Sequence, residues 1–432
     1  MNKQQYWFSV WLKKYRVNNE LTLNKALTRK PSLNALLSSA PPPTVSVRKE
    51  PSELVELTGG KGIDLTGELS CHHINCLKEE VNGLFRHTWH YFDQITLPDQ
   101  ALYRVLEFQD HKDVSLLRKR LVPFVLVLEM IEKNGGQHLV RFESRTPGCL
   151  RHAKEHAREA NIDQSFANTS SLITEIAKSA VVSWDEGKQD GHKHLNFQLV
   201  HPQFEHTEWE SLCSRNAPIP KKETAIRRSI VNSVVQRYLA ELCADALAAR
   251  RTHTPLGSTI PFYKRLLATR PSAEMEAVAF DLGLPISPNI SIKKLVKLRQ
   301  VEGPSFQRFQ TALRKAIGEY SKIAPSSSSA VLARQIKRDV IDPELRRIRD
   351  LLVATRVQTD KSAAIGVGLG IAAVTAGLLT PLSANPIGSG LVVGGALTTA
   401  ASSIKKAYDD RFAIQRDVAL SDMYFLWRTH RH

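Results

Sequence analysis

The run Cys71-His72-His73-Ile74-Asn75-Cys76, followed by His87 and His90, carries the thiols and imidazoles that zinc prefers as ligands. Spacing restricts what they can do. On one unbroken helix Cys76 and His87 stand about 16 Å apart, too far to share an ion. A zinc site drawn from Cys71, His72, Cys76, His87 and His90 therefore needs a break in that helix, and Gly83 is the obvious place for one. His72 or His73 with Cys76 makes a two-ligand pair, where a structural site takes four. A metal-free buried helix with polar residues at its cap fits the same residues more simply.

Two other groups have the types for hydrolysis. His152-Ala153-Lys154-Glu155-His156 matches H-x-x-E-H, in which paired imidazoles hold a metal and the carboxylate polarises water. Its surroundings, Arg151 to Glu159, are polar on every side, unlike a helix that lines a cleft. Asp93, Asp99, Glu143, Asp185 and Asp190 offer oxygen ligands for Mg²⁺ and so for a metal-dependent nuclease. Nothing in their spacing separates them from turn and cap residues. The chain holds no G-x-x-x-x-G-K-[ST] loop, no G-x-S-x-G elbow and no dinucleotide-binding glycine pattern. No reaction is named by these residues, and a non-enzymatic role is the expectation.

The elements that would position them come in blocks. The chain has 432 residues, 42% hydrophobic and 24% charged, which suits two to four folded domains rather than a disordered polymer. Five cysteines, an odd number, argue against a disulfide scaffold. The start, MNKQQYWFSVWLKKYR, lacks the apolar core of a signal peptide, so a cytoplasmic location is expected. Residues 1–58 read as a short amphipathic helix and a connector marked by Pro41, Pro42, Pro43 and Pro51. Residues 59–213 alternate strand and helix patterns: helices at Cys71–Phe92, Leu102–Phe108, Val114–Glu132 and Leu150–Ala160, strands at Gln94–Leu97, His138–Glu143 and Asn196–Val200. Pro123 should start or kink its helix. Residues 214–325 turn helical, led by Ile226, Ile230, Val234, Tyr238 and Leu242, with further helices at Ala273–Leu282, Ile292–Gln300 and Phe306–Ile323. Residues 326–432 continue with Ala330–Thr355, broken near Pro343. The expected class is α+β, mostly α: a mixed α/β unit, then a basic helical half with a C-terminal glycine-rich hairpin.

Charge divides the chain. Residues 1–213 carry 26 basic and 26 acidic side chains, whereas residues 214–360 carry 26 and 13. The formal excess of +16 thus sits in the second half and predicts a polyanionic partner, nucleic acid or an anionic membrane surface. Arg227, Arg228, Arg237, Arg250, Arg251, Lys293, Lys294, Lys297 and Arg299 are the candidate contacts. A helix-turn-helix over Ala277–Gln300 is disfavoured, because Pro285–Ser291 is longer than the usual three- or four-residue turn.

Between Lys361 and Lys405 lie 43 residues without a charge. Two apolar runs, Ala363–Leu379 and Ile387–Ile404, flank a turn with Pro381 and Pro386, so residues 362–404 read as a helical hairpin. Each arm, 17 or 18 residues, is at the short end of what spans a bilayer. Gly366 with Gly370, Ala372 with Ala376, and Gly390 with Gly394 space small residues for close helix contact. Lys361, Lys405 and Lys406 at the outer ends place both ends on one side. The pattern fits a hairpin that enters a membrane on a trigger. It fits equally a hairpin buried inside a helical domain.

Leu282-Gly283-Leu284-Pro285, Ile290–Arg299, Phe306-Gln307-Arg308-Phe309, the glycine-rich hairpin and the terminal Tyr424-Phe425-Leu426-Trp427-Arg428 resemble uncharacterised bacterial proteins found beside antiviral defence genes. The resemblance covers residues 275–432 and implies a cytosolic bacterial protein with a role in defence, acting as a homo-oligomer or with partner subunits. It carries over no catalytic residue. Three functions are open at this point. The preferred one is a non-enzymatic effector with a latent membrane-active hairpin; the others are a DNA- or RNA-binding subunit using residues 214–360, and a metal-dependent nuclease or hydrolase.

Overall fold

The computed structural model describes residues 6–43, 47–48, 54–63, 65, 73–89, 91–145, 150–166, 169–189, 191–204, 208–214, 218–267, 281–282, 284, 291–324, 327–353, 418 and 421–431. Three short helices open the chain: α1 (Trp7–Tyr15), α2 (Glu20–Thr28) and α3 (Lys30–Ser39). Asn19 and Thr22 close a reciprocal cap at the start of α2. The apolar face of α1 turns inward, with Phe8 stacked on Phe124 at 6.0 Å and Trp11 Nε1 donating to Ser32 O at 3.0 Å.

Strands β1 (Glu56–Gly59), β2 (Gln94–Pro98) and β3 (Val140–Glu143) pair in parallel, in spatial order β3-β2-β1. Parallel pairing demands long crossovers. Helix α4 (Ile74–Thr88) links the first two strands; α5 (Gln100–His111) and α6 (Val114–Lys133) link the second and third. Asp99 and Asp113 cap these last two helices through the Leu102 and Leu116 N–H groups. Helix α6 runs through Pro123 without ending, the proline ring buried among its neighbours.

Helices α7 (Ala153–Glu159) and α8 (Thr169–Ser179) lead to an antiparallel sheet of β4 (Val181–Gln189), β5 (His192–Val200) and β6 (Glu208–Cys213). The 29-residue α9 (Glu223–Arg251) packs on α7, α8 and this sheet. It then returns the chain to β7 (Leu256–Gly257), which pairs in parallel with β1 on the side away from β2. The first sheet therefore takes strands from both sides of residue 214, where composition divides the chain. After α10 (Pro261–Leu267), α11 (Ile292–Val301), α12 (Gly303–Ile323) and α13 (Ser329–Ile336) form a helical layer on α4 and the sheet. A π turn at Lys337–Ile341 carries α13 into the helical residues 342–353. Pro343 lacks an N–H and crowds the carbonyl four residues back, and the wider turn accommodates it without the break its position predicts.

The last helix, α14 (Tyr424–Arg431), buries Phe425 against Trp89 at 5.2 Å and Phe306 at 5.1 Å. Complete burial of such a ring is worth about 1.5–3 kcal/mol, enough to hold the end of the chain in the core. Three apolar cores result: one under the C-terminal helices, one between α9 and the antiparallel sheet, one joining α1–α3 to α5 and α6. The architecture is α+β and mostly helical, as composition and periodicity predict. Strands β1, β4, β6 and β7 and helices α2, α3, α8 and α10 are additions to the elements read from pattern alone. Residues 354–417, with the hairpin and Gly366, Gly370, Ala372, Ala376, Gly390 and Gly394, lie outside the described residues, as does most of Ala273–Leu282. Among the described residues no helix is long and apolar enough to cross a membrane.

Candidate functional site

Strand order reverses at β1, with β2 on one side and β7 on the other, and ligands of open parallel sheets gather outside the carboxyl ends of strands at such a point. Here β1 ends at Gly59 and runs into the loop Gly60-Lys61. A Cβ at Gly60 would stand 3.0 Å from Asp245 Oδ2 and 3.3 Å from Gly257 O, so α9 and β7 crowd the loop and a side chain there would push them back by a few tenths of an ångström. Arg145, just beyond β3, lies flat across the sheet end. Its guanidinium donates to Gly59 O at 2.7 Å, Thr96 O at 2.8 Å and Asp245 Oδ1 at 2.9 Å. The Asp245 carboxylate also accepts from Lys61 N at 3.2 Å, and Lys61 Nζ reaches Glu241 at 2.7 Å. Glu241 and Asp245 are four residues apart on one face of α9, which is why one helix meets both cations.

Electrostatics follow from this closure. Burial pushes the Asp245 carboxyl above the usual carboxylate range, while Arg145 and the Lys61 N–H pull it back. Burial likewise raises Glu241 against the attraction of Lys61. Tyr103, whose hydroxyl donates to Arg145 O at 2.9 Å, is pushed up to about 12 by burial. The charges of this cluster are bound to one another rather than held out to a ligand. Chemically it acts as a clamp between the sheet and α9.

The carboxylates proposed for Mg²⁺ are also committed. Asp93 binds Arg299 and the Val55 N–H. Asp99 accepts from Tyr6, from Trp7 Nε1 at 2.7 Å and from Leu102 N at 3.0 Å. Glu143 meets Arg141 at 2.7 Å. Asp93 and Asp99 flank opposite ends of β2, about 20 Å apart at the rise of a strand, so one ion cannot use both. Asp185 is exposed on β4, and Asp190 lies outside the described residues. His152 and His156 stand with ring centroids 6.2 Å apart at the start of α7, and Glu155 is exposed. Cys76 is half-buried on α4; Cys71, His72 and His90 lie outside the described residues, as does the side chain of His87. Among the described residues no three His, Cys, Asp or Glu side chains converge as a metal site.

The candidate cations divide into two groups. Arg237 is held by Glu208 and Glu210, Arg251 by Glu159 at 2.7 Å, and Arg227 donates to Ala180 O at 2.9 Å. Arg299 donates to Phe92 O at 2.7 Å, pairs with Asp93 and lies 4.0 Å over the Phe306 ring. These four hold the fold. Arg228, Arg250, Lys293, Lys294 and Lys297 are exposed and make no ion pair among the described residues. The last three share one outward side of α11, opposite buried Ile292, Leu295 and Val296. Arg314, Lys315 and Arg349 add free cations on α12 and residues 342–353. Residues 291–353 carry 14 basic and 6 acidic side chains, so this layer has a basic excess.

Comparison of the chain with family models, with curated proteins and with solved structures gives no match.

Proposed function

We propose that the protein binds an anionic bilayer surface through the free cations of its C-terminal helical layer, and acts there without catalysis through the charge-free residues 362–404. One observation carries this reading. Ile348 and Val418, on either side of the charge-free stretch, belong to a single buried core, the same core that carries the outward-facing Lys293, Lys294 and Lys297. A stretch tethered at both ends to a basic body is brought to an anionic surface whenever that body binds one. Each lysine near such a surface contributes about 1 kcal/mol, so three or more supply a firm but salt-sensitive attachment. Small-residue spacing at Gly366, Gly370, Gly390 and Gly394 supports helix association in lipid. The setting is bacterial antiviral defence, on the resemblance of residues 275–432.

Flotation of the full chain with phosphatidylglycerol vesicles tests it. Binding is expected at low salt, is lost near 0.5 M salt, and is absent from neutral phosphatidylcholine vesicles. Retention on DNA or RNA, with no flotation, replaces the bilayer by nucleic acid as the polyanion.

A further inference from the structure

The antiparallel sheet buries one face against α9. Leu195, Phe197 and Leu199 of β5 point inward, so His192 and His194 point to the other face. On β6, Cys213 lies directly across from His194, and Ser211 shares its face two residues earlier. Ser214 N donates to Lys193 O at 2.8 Å, which places the ladder bond at that pair. His194 and Cys213 are then the non-hydrogen-bonded kind of pair, whose side chains stand closer. Cys213 Sγ and His194 Nε2 are 3.4 Å apart, and His194 Nδ1 is 3.4 Å from Ser211 Oγ. His192, His194 and Cys213 are all half-buried and accessible. On the other side of His194, β4 presents Gly187, where a Cβ would meet nothing within 4 Å, so the space beside the ring is open.

A tetrahedral zinc ion held by a thiolate at about 2.3 Å and an imidazole at about 2.0–2.1 Å keeps those two donor atoms about 3.5 Å apart. Cys213 and His194 already stand near that spacing. We propose that Cys213, His194 and His192 bind one zinc ion on this open face, with water in the fourth, solvent-facing position. His192 lies two residues before His194 on the same side of β5, with about 7 Å between their Cα atoms, a span that two imidazoles bridge to one ion. Two of the three donors converge as the side chains stand, and rotation of His192 about χ1 brings in the third. Ser211 serves the same site, because a ligating imidazole is oriented by a partner on its other ring nitrogen. Sulfur and imidazole donors select zinc over the hard cations Mg²⁺ and Ca²⁺. Binding sends the thiol proton to solvent and cross-links β5 to β6. A thiol–imidazole hydrogen bond alone would account for the contact of Cys213 with His194, but it gives His192 no part. The site shares no residue with the bilayer reading or with the cysteines and histidines of residues 71–90.

Titration of the full chain with cobalt(II), after treatment with a chelator, decides the matter, since cobalt takes zinc sites and reports a thiolate ligand by a charge-transfer absorption. The band is expected to saturate at one ion per chain and to be abolished by added zinc. Cys213→Ser should remove it. His192→Gln and His194→Gln should each weaken affinity at least about tenfold, because even the groups that merely orient a ligand are worth about ten- to a hundredfold. Cys76→Ser should leave the band unchanged. None of the three ligands belongs to the apolar core, so circular dichroism should show every variant folded. Absence of the band overturns the assignment. So does a band that survives Cys213→Ser or is lost in Cys76→Ser, or a His192→Gln affinity equal to that of the natural chain, which leaves only the hydrogen bond.

Discussion

Arg145 and Asp245, one hundred residues apart in sequence, meet at 2.9 Å where the parallel sheet ends against α9. The arginine is 4% exposed and also ties two strand carbonyls, so one side chain joins β1, β2, β3 and α9. An internal ion pair of this kind adds little net stability when intact, yet either partner alone is an uncompensated charge.

Asp245→Ala should therefore lower stability by about 3–5 kcal/mol, read as a shift in the urea midpoint. The double variant Arg145→Met with Asp245→Leu should recover most of that loss. Equal loss in single and double variants would mean that the clamp carries no charge coupling.

Asp99 fixes the dependence on pH. Burial raises its carboxyl above the ordinary value of 3.8, even though Tyr6, Trp7 and the Leu102 N–H oppose the shift. A carboxyl that holds its proton more firmly in the folded chain adds stability below that ordinary value and loses it as pH climbs through the folded one. Asp99→Asn lacks this slope. The advantage of the natural chain over Asp99→Asn should be largest near about pH 3.5 and shrink towards pH 7; urea midpoints at both pH values check the sign.

The two groups of cations should separate cleanly. Arg299→Ala strips Asp93 and the Phe92 carbonyl of their donor and should cost about 2–3 kcal/mol. Lys293→Glu with Lys294→Glu and Lys297→Glu should change stability by less than about 0.5 kcal/mol per site, yet abolish flotation with anionic vesicles. Thermal melts and flotation on the same samples read both effects.

Phe425→Ala should cost about 3–5 kcal/mol, because the ring fills a pocket between Trp89, Phe306 and Phe309. Its loss frees α14 from the core and should appear as protease cleavage ahead of Tyr424, with the rest of the chain still folded.

Within residues 361–405, Gly370→Leu and Gly394→Leu insert side chains where the spacing calls for close helix contact. Each should reduce vesicle leakage several-fold without changing flotation. Leakage equal to that of the natural chain in both variants counts against the membrane-active reading.

Periodicity is a local property, and it located α5, α6, α9, α11 and α12 closely. Val231, Val234, Val235 and Tyr238 announce a buried helix whatever lies around it. Asp99 and Asp113, which cap α5 and α6 in the folded chain, stand before apolar runs but are not singled out as caps by the pattern. The short strands carried weaker signals. Thr58-Gly59-Gly60 looks like a turn, yet Thr58 and Gly59 end a strand because β2 and β7 supply partners on both sides. A Gly-rich loop before Lys61, and Glu241 with Asp245 on an otherwise apolar stripe, were the readable traces of the clamp.

Sequence alone determined the mostly helical class and the charge of the second half, since both follow from composition and spacing that no fold can alter. Tertiary structure decided which charges are spent. Arg237, Arg251 and Arg299 look the same in sequence as Arg228 and Lys294, but the first three are folded against carboxylates and the others are not. Opposite charges a hundred residues apart meet or miss according to how strands and helices stack, and only the folded chain brings Arg145 to Asp245.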